Sequence, residues 1–429
     1  MLQTQSFVLQ GGLNLVTPAI RTPAGHAIAA LNYECVERGY ARVDGYERYD
    51  GRPKPSDATY HYVIFDQGST AIIEGNTVTG GSSGATGVVL ADAILLLGSY
   101  GGGSAEGYFA IVPTSGAFID NEPIKVGGVT VAYANGDATE RGAPDPDLDT
   151  SYFQDAIETT RASINTVPGS GPVRGIWVYN GSVYAFRDNA AATEGKMYLA
   201  STAGWIAQDL GREIAFTSGG TYEIMEGDVI TGATSAATAT VKRVIVSSGD
   251  WTTGDAAGYL VIAVQTGTFQ AENLNILTNL NVATIAGNSS AISLPIGGKY
   301  EFRNHNFYGA SDRFRMYGVN GVGNGFEWDG SVFVKIRTGM TVDTPRHIAI
   351  FKNHLFFSFL GGSVQHSGTG DPYTFAPIFG ASEIGIGQEV TGFSENTGQT
   401  MIIFGRNTVA SLYGNSVDDW SLEVLTKDA

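Results

Sequence analysis

The sequence predicts an all-β protein, a propeller-like body that carries two small inserted β-barrel or sandwich domains and one helix. Three observations lead there. Glycine is abundant, 58 of 429 residues, with no collagen-like period. It punctuates short aromatic and β-branched runs, the pattern of many brief strands joined by tight turns. A module of roughly 70 residues occurs twice, and outside it an Asn-centred motif returns about every 50 residues, the period of a four-stranded propeller blade.

In chain order, residues 1–66 are assigned to the N-terminal part of the body. Met1 to Leu15 has no basic segment followed by an apolar core, so no signal peptide is expected. Cys35 is the single cysteine, which excludes an intrachain disulfide. The first inserted domain spans 67–139. It opens with Glu74-Gly75-Asn76-Thr77-Val78-Thr79-Gly80, then Ser83, Ala85-Thr86 and Val89. The second spans 216–295 and repeats that run as Glu226-Gly227-Asp228-Val229-Ile230-Thr231-Gly232, then Ser235, Ala237-Thr238 and Val241. Downstream, Gly107-Tyr108-Phe109, Gly116, Phe118 and Val131-Ala132 match Gly258-Tyr259-Leu260, Gly267, Phe269 and Val282-Ala283. Each copy reads as five or six strands. The Gly/Ser cluster is read as turns needing positive φ, since neither a helix nor a P-loop Lys follows it.

Between the modules, 140–215 holds a linker, the helix and a blade. Tyr152, Phe153, Ala156, Ile157 and Ile164 fall at helical spacing over 150–166, with Asp149 or Thr150 as N-cap and Pro168-Gly169 as the stop. This helix is expected to pack on the body. The blade motif is Val178-Tyr179-Asn180-Gly181, recurring at Phe302-Arg303-Asn304-His305, at Phe351-Lys352-Asn353-His354 and, more weakly, at Phe404-Gly405-Arg406-Asn407. Asn tolerates the left-handed conformation of two-residue hairpins. Residues 296–429 are the remaining blades. Within one period the expected strands are 300–306, 313–319, 325–328 and 331–336, with Asp329-Gly330 marking a type I′ turn.

Chemistry-bearing patterns are weak, and no catalytic, cofactor or metal residue is assigned. Asp145, Asp147 and Asp149 alternate like the start of a calcium loop, but Thr150 and Ala156 stand where an EF-hand needs Gly and Glu; a solvated linker is the reading taken. His305 and His354 occupy one blade position, which suggests a turn role. His366, Ser367 and Asp371 are close in sequence without forming a triad motif, and Gly169-Ser170-Gly171 lacks dinucleotide spacing and precedes a strand.

The net charge is −17 with no basic run, so a sequence-specific nucleic-acid binder is not expected. An acidic wall can still let DNA slide without adhesion. The longest apolar stretches, such as 91–97, are too short to span a bilayer.

Several stretches resemble the tail nozzle proteins of short-tailed bacteriophages, the tail tubular protein B family. They are Gly11-Gly12-Leu13-Asn14-Leu15, Cys35-Val36-Glu37-Arg38-Gly39-Tyr40 through Gly45-Tyr46-Glu47-Arg48-Tyr49-Asp50-Gly51, Val167-Pro168-Gly169-Ser170-Gly171-Pro172-Val173-Arg174-Gly175, and Phe356 to Phe375 with Ser363-Val364-Gln365-His366-Ser367 and Gly370-Asp371-Pro372. The resemblance implies a non-enzymatic virion protein assembled in the host cytoplasm. It would form a hexameric ring at the distal end of the tail, meet adaptor and tail-fibre proteins, and pass DNA through its centre. Two other readings compete. One is a phage adhesin whose inserts contact host-surface glycans, with aromatics such as Trp205, Trp251 and Trp420 as candidates to stack on sugars. The other is a propeller glycosidase using two of the 42 acidic residues.

Overall fold

Short alternating runs bury one face each, so they settle into small antiparallel sheets that close or stack on one another. The computed structural model describes residues 11–14, 16–23, 25–28, 33–36, 39–42, 45–220, 222–309, 314–377, 380–396 and 398–427. The chain is all-β with one α-helix among the described residues, and it packs as two compact units: Met1–Tyr49 with Pro53–Ser163, and Asp50–Arg52 with Ile164–Ala429.

The first unit begins with a hairpin, β1 (Tyr33–Val36) and β2 (Gly39–Arg42). Then follow β3 (His61–Gly68), β4 (Thr77–Gly80), β5 (Thr86–Val89), β6 (Ile94–Leu97), β7 (Ala105–Ser115), β8 (Pro123–Val126), β9 (Val129–Ala134) and β10 (Thr139–Glu140). Six of them, in the order β3-β9-β8-β4-β5-β7, close into a barrel through β3–β7 pairing, with β10 and β6 flanking. Its interior holds Val63, Phe65, Val78, Val89, Phe109, Ile111, Phe118 and Ile124, all almost fully buried. The helix α1 (Pro146–Ser163) lies on the outer wall of this barrel, where Tyr152 and Ala156 meet Tyr60, Tyr108 and Ala110.

Two helix expectations are corrected here. The helix packs on the first barrel, and it starts four residues earlier than 150. Asp145 caps it, its carboxylate accepting the Asp147 N–H at 2.9 Å. Pro146 takes the first helical position, where its missing N–H costs nothing. The three aspartates read as a linker are therefore a helix cap and first turn, with Asp149 accepting from the Tyr60 hydroxyl at 2.5 Å.

The second unit contains four four-stranded meanders and a second barrel. Blade 1 is β11 (Ser170–Tyr179), β12 (Ser182–Asp188), β13 (Gly195–Ser201) and β14 (Gly204–Ala207). The second barrel follows: β15 (Arg212–Gly219), β16 (Val229–Gly232), β17 (Thr238–Ser248), β18 (Ala256–Ile262), β19 (Ala271–Ile276) and β20 (Asn279–Ala286), with β21 (Ser290–Ala291) flanking. It closes as β15-β20-β19-β16-β17-β18, with Ile214, Phe216, Ile230, Val241, Leu260, Ile262, Phe269 and Leu274 inside, each the counterpart of a core residue in the first barrel. Gly107 and Gly258 are twins too; a Cβ at either would strike the carbonyl of Ile94 or Ile245 on the adjoining strand.

Blade 2 is β22 (Glu301–His305), β23 (Arg315–Val319), β24 (Gly325–Trp328) and β25 (Phe333–Ile336). Blade 3 is β26 (His347–Phe351), β27 (His354–Ser358), β28 (Ser363–His366) and β29 (Ser382–Gly385). Blade 4 is β30 (Val390–Asn396), β31 (Thr400–Gly405), β32 (Val409–Tyr413) and β33 (Ser421–Thr426). The first strands of consecutive blades adjoin: β11 with β22, β22 with β26, β26 with β30. Aromatic and aliphatic side chains fill the spaces between, with Phe186, Tyr300, Phe302 and Phe326 clustered between blades 1 and 2.

The repeated hairpin motif divides. Asn180-Gly181 and Lys352-Asn353 are two-residue turns with φ of 47°, 74°, 48° and 61°, the both-positive pattern of type I′. The stretch at 302–305 is instead a strand that leads into the longer connection 306–314, of which 310–313 lie outside the described residues. The stretch at 404–407 forms the second hairpin of its blade, not the first. At Asp329-Gly330 only Gly330 has positive φ, so the expected type I′ turn does not form; a four-residue loop joins Trp328 to Phe333, stabilised by Asp329 accepting from the Ser331 and Val332 N–H groups.

Candidate functional site

The residues singled out from sequence do not converge. Ser367 Oγ accepts the Leu355 N–H at 3.0 Å and donates to the Gly368 carbonyl at 2.9 Å. Asp371 holds the Tyr373 N–H and the Thr374 hydroxyl, and His366 faces Ser382 Oγ at 2.6 Å. No Ser-His-Asp relay forms from these three. Gly169-Ser170-Gly171 enters β11, with Ser170 Oγ donating to the Asn189 carbonyl at 2.7 Å. His305 and His354 also part company: His305 Nε2 pairs with Asn353 Oδ1 at 2.9 Å, whereas His354 is buried between Ser367 and Thr369.

The three tryptophans weighed as sugar platforms are packing residues. Trp251 stacks on Phe216 at 5.2 Å. Trp205 packs against Val167, Ala185 and Tyr198, and Trp420 lies among Phe351, Phe356, His354 and His366. No group of three or more His, Cys, Asp or Glu side chains among the described residues is arranged to hold a metal ion.

A pair of carboxylates that sequence reading passed over proves to be the organising feature of both barrels. Glu122 accepts the Ser82 and Ser83 N–H groups, the Ser83 hydroxyl and the Ile119 N–H at 2.8 to 3.0 Å. Glu272 does the same with Thr234, Ser235 and Gln270 at 2.6 to 2.9 Å. Each reaches into the Gly/Ser turn compared above with a P-loop, so an internal anion fills that nest. Burial alone would raise the Glu272 pKa, but the Ser235 hydroxyl and three backbone N–H groups outweigh it and hold it at about 2. Glu122 is likewise lowered, against its burial, by the Ser83, Ile119 and Ser82 donors. The signal was present as a Glu shortly after Phe118 and after Phe269, one residue out of step between the copies.

The densest polar cluster joins the second barrel to blade 2. Arg243 of β17 reaches Glu327 at 2.7 Å, Asp329 at 2.8 Å and Glu226 at 2.7 Å. Glu327 is fully buried and also accepts from Tyr317 OH at 2.7 Å and Tyr308 OH at 3.1 Å, with Arg315 at 3.8 Å. Burial would weaken the hold of Arg243 on its proton, yet Tyr373, Glu327 and Glu226 around it reverse that and raise its pKa. Burial, then Glu327, drives the Tyr317 hydroxyl far upward. A few residues away Glu213 takes Lys335 at 3.0 Å and Arg337 at 2.9 Å, while Arg337 covers the Tyr259 ring at 3.7 Å. Both oxygens of Glu327 are committed to internal donors, so the cluster is suited to fixing one sheet against another and not to proton transfer with a substrate.

Side chains also tie blade to blade. Trp177 Nε1 donates to Asn304 Oδ1 at 2.8 Å while Asn304 Nδ2 donates to the Val178 carbonyl at 2.9 Å. Glu301 pairs with His347 at 3.0 Å, and Glu395 of blade 4 takes both Arg303 of blade 2 at 2.9 Å and the Ile350 N–H of blade 3 at 2.8 Å.

No family model and no curated protein matches the sequence. Among solved structures, similarity is found to the computationally designed Ika8 protein (11% identity, 58% of this chain and 74% of that one, TM-score 0.22). It is also found to BBS1N in complex with ARL6DN (10% identity, 61% and 83%, TM-score 0.21) and to apo AztD from Citrobacter koseri (9% identity, 87% and 96%, TM-score 0.22). Similarity at this level carries no argument about this chain. Among the described residues no helix is long and apolar enough to cross a membrane.

Proposed function

We propose that this chain is a non-enzymatic structural protein of a tailed-phage virion, a subunit of the ring at the distal end of the tail through which DNA leaves. The observation that carries the reading is where the family-like stretches sit. Val167–Gly175 enters blade 1, with the Val167 carbonyl accepting from Arg187 and Arg174 pairing with Asp188 at 2.7 Å. Gly51, in another such stretch, has its Cα packed on the Ser201 backbone, leaving no space for a Cβ, and Asp50 beside it is fully buried and accepts the Asn165 N–H. Phe356–Phe375 supplies the core of blade 3. These stretches form packed joints of a framework, which supports a mechanical role over a catalytic one. The expected partners are other copies of the chain in a hexameric ring, adaptor and tail-fibre proteins, and passing DNA held without sequence readout, in keeping with the net charge of −17.

The test is native mass measurement of the purified chain together with cryo-electron microscopy of particles that contain it. A ring-sized oligomer located on the tail axis is expected. A strictly monomeric protein absent from particles overturns the reading. The adhesin alternative would need glycan-binding residues other than Trp205, Trp251 and Trp420, whose rings are packed.

A further inference from the structure

Between blades 3 and 4 two histidines are sealed beneath a tryptophan. His354, at the start of β27, and His366, at the end of β28, are 2% and 0% exposed, with ring centroids 5.2 Å apart. Trp420, which precedes the edge strand β33, lies 5.0 Å from the first ring and 4.8 Å from the second. Phe356 packs on the His366 ring at 5.2 Å, and Phe351 and Phe356 pack on Trp420.

Burial, at 2% and 0% exposure, favours the neutral form of both rings. Each Nδ1 lies against the Ser367 carbonyl, at 2.6 Å for His354 and 3.1 Å for His366. A carbonyl only accepts, so both Nδ1 atoms carry the proton. In the neutral rings each Nε2 accepts from a hydroxyl, Thr369 at 2.9 Å and Ser382 at 2.6 Å. All four nitrogens are satisfied with no charge. An added proton would place a cation in an apolar enclosure, and a second would set two cations about 5 Å apart.

None of the charged groups described on the surrounding elements bonds to either imidazole. Lys352 Nζ lies over the Phe351 ring, 5.7 Å from its centroid, and Asp371 is bound to Tyr373 and Thr374. Glu383 pairs in register with Gln365, and Asp419 accepts the Asn415 and Ser416 N–H groups beside Asp418. His347 is paired with Glu301, and His305 with Asn353. Among the described residues, then, a positive charge on either ring has no bonded carboxylate to compensate it.

We propose that the His354–His366 pair is an acid-sensitive latch: protonation drives Trp420 out of its seat and frees the edge strand β33 from blade 4, uncovering Phe351 and Phe356. The strand is suited to release, because it is an edge strand whose six residues are all exposed and Trp420 is what anchors its start. Burial, chiefly, holds His366 at about 4 and His354 below its ordinary 6.5. The neutral pair is therefore stable near pH 7, and the seated state weakens as pH falls through the interval between 6.5 and about 4.

The experiment is hydrogen exchange of the full chain at pH 7.5 and pH 5, corrected for intrinsic rates, for the wild type and the His354→Asn/His366→Asn double variant. Asn keeps an N–H donor for Ser367 without the titration. Protection of 414–427 is expected to fall by about tenfold or more in the wild type between the two pH values, and by less than about twofold in the double variant. Equal wild-type protection at both pH values overturns the latch, as does a double variant that loses protection as the wild type does. If the double variant fails to fold, an NMR titration of the two wild-type imidazoles decides: midpoints at or above the ordinary histidine value overturn it, depressed and mutually coupled midpoints support it.

Discussion

Glu272 concentrates at one residue the chemistry that shapes both barrels. Glu272 is 7% exposed and accepts four hydrogen bonds, three from the Thr234-Ser235 turn and one from the Gln270 N–H. Replacing it with Ala strands those donors and is expected to cost about 2–3 kcal/mol in urea denaturation; Glu122→Ala should behave alike. The pH dependence has a definite sign. Because the folded-state pKa of about 2 lies below the ordinary 4.5, the carboxylate contributes stability that is present above pH 4.5 and is lost as pH falls toward 2. Glu272→Gln should flatten the stability profile across that window, measured by denaturant midpoints at pH 5, 4, 3 and 2. A wild-type and variant pair losing stability in parallel would show that the turn does not bind the charged form. The type I′ turn at Lys352-Asn353 offers a second residue-scale test. Lys352 carries a φ of 48°, which a β-carbon resists, so Lys352→Gly is expected to be neutral or to stabilise by up to about 1 kcal/mol. Asn353→Val should destabilise, since it also removes the bond to His305.

At the scale of elements, the joint of Arg243 and Glu327 decides how the second barrel is seated. Buried ion pairs contribute little net stability, because desolvation offsets their attraction, but breaking one leaves a charge stranded. Glu327→Ala would leave Arg243 and Arg315 without their shared carboxylate and is expected to cost about 3–5 kcal/mol by equilibrium unfolding. Arg243→Met should cost less than Glu327→Ala, since Arg315 and two tyrosine hydroxyls still face the glutamate. The blade strands were legible in advance because Gly, Asp and Asn turn signals separate short apolar runs, even where a strand such as β24 is buried on both faces. Expected strands at 300–306, 325–328 and 331–336 overlap Glu301–His305, Gly325–Trp328 and Phe333–Ile336. The ends of strands were not legible. Asn304 satisfies the same residue pattern as Asn353, yet it sits within a strand and bonds across to Trp177 and Val178, a long-range partner that no local motif encodes.

For the whole molecule, the first unit holds a complete barrel core with a helix sealing one outer wall, and all the residues of those two clusters fall between Tyr60 and Ala156. A fragment spanning 53–163 is therefore expected to fold alone, with a cooperative thermal transition and dispersed amide resonances. A fragment that stays disordered would show that its stability is borrowed from the remainder of the chain.

The duplication of the barrels, the all-β class and the four-stranded period of the blades were set by local pattern: side-chain alternation, turn residues and repeat spacing act over a few residues and can be read along the chain. What only the tertiary structure decided is which polar groups meet. Glu122 with Ser83, Arg243 with Glu327, and His354 with His366 beneath Trp420 are partners 12 to 84 residues apart or on separate strands. Burial removes water as the competing partner, so those long-range pairings become obligatory only once the sheets have closed around them.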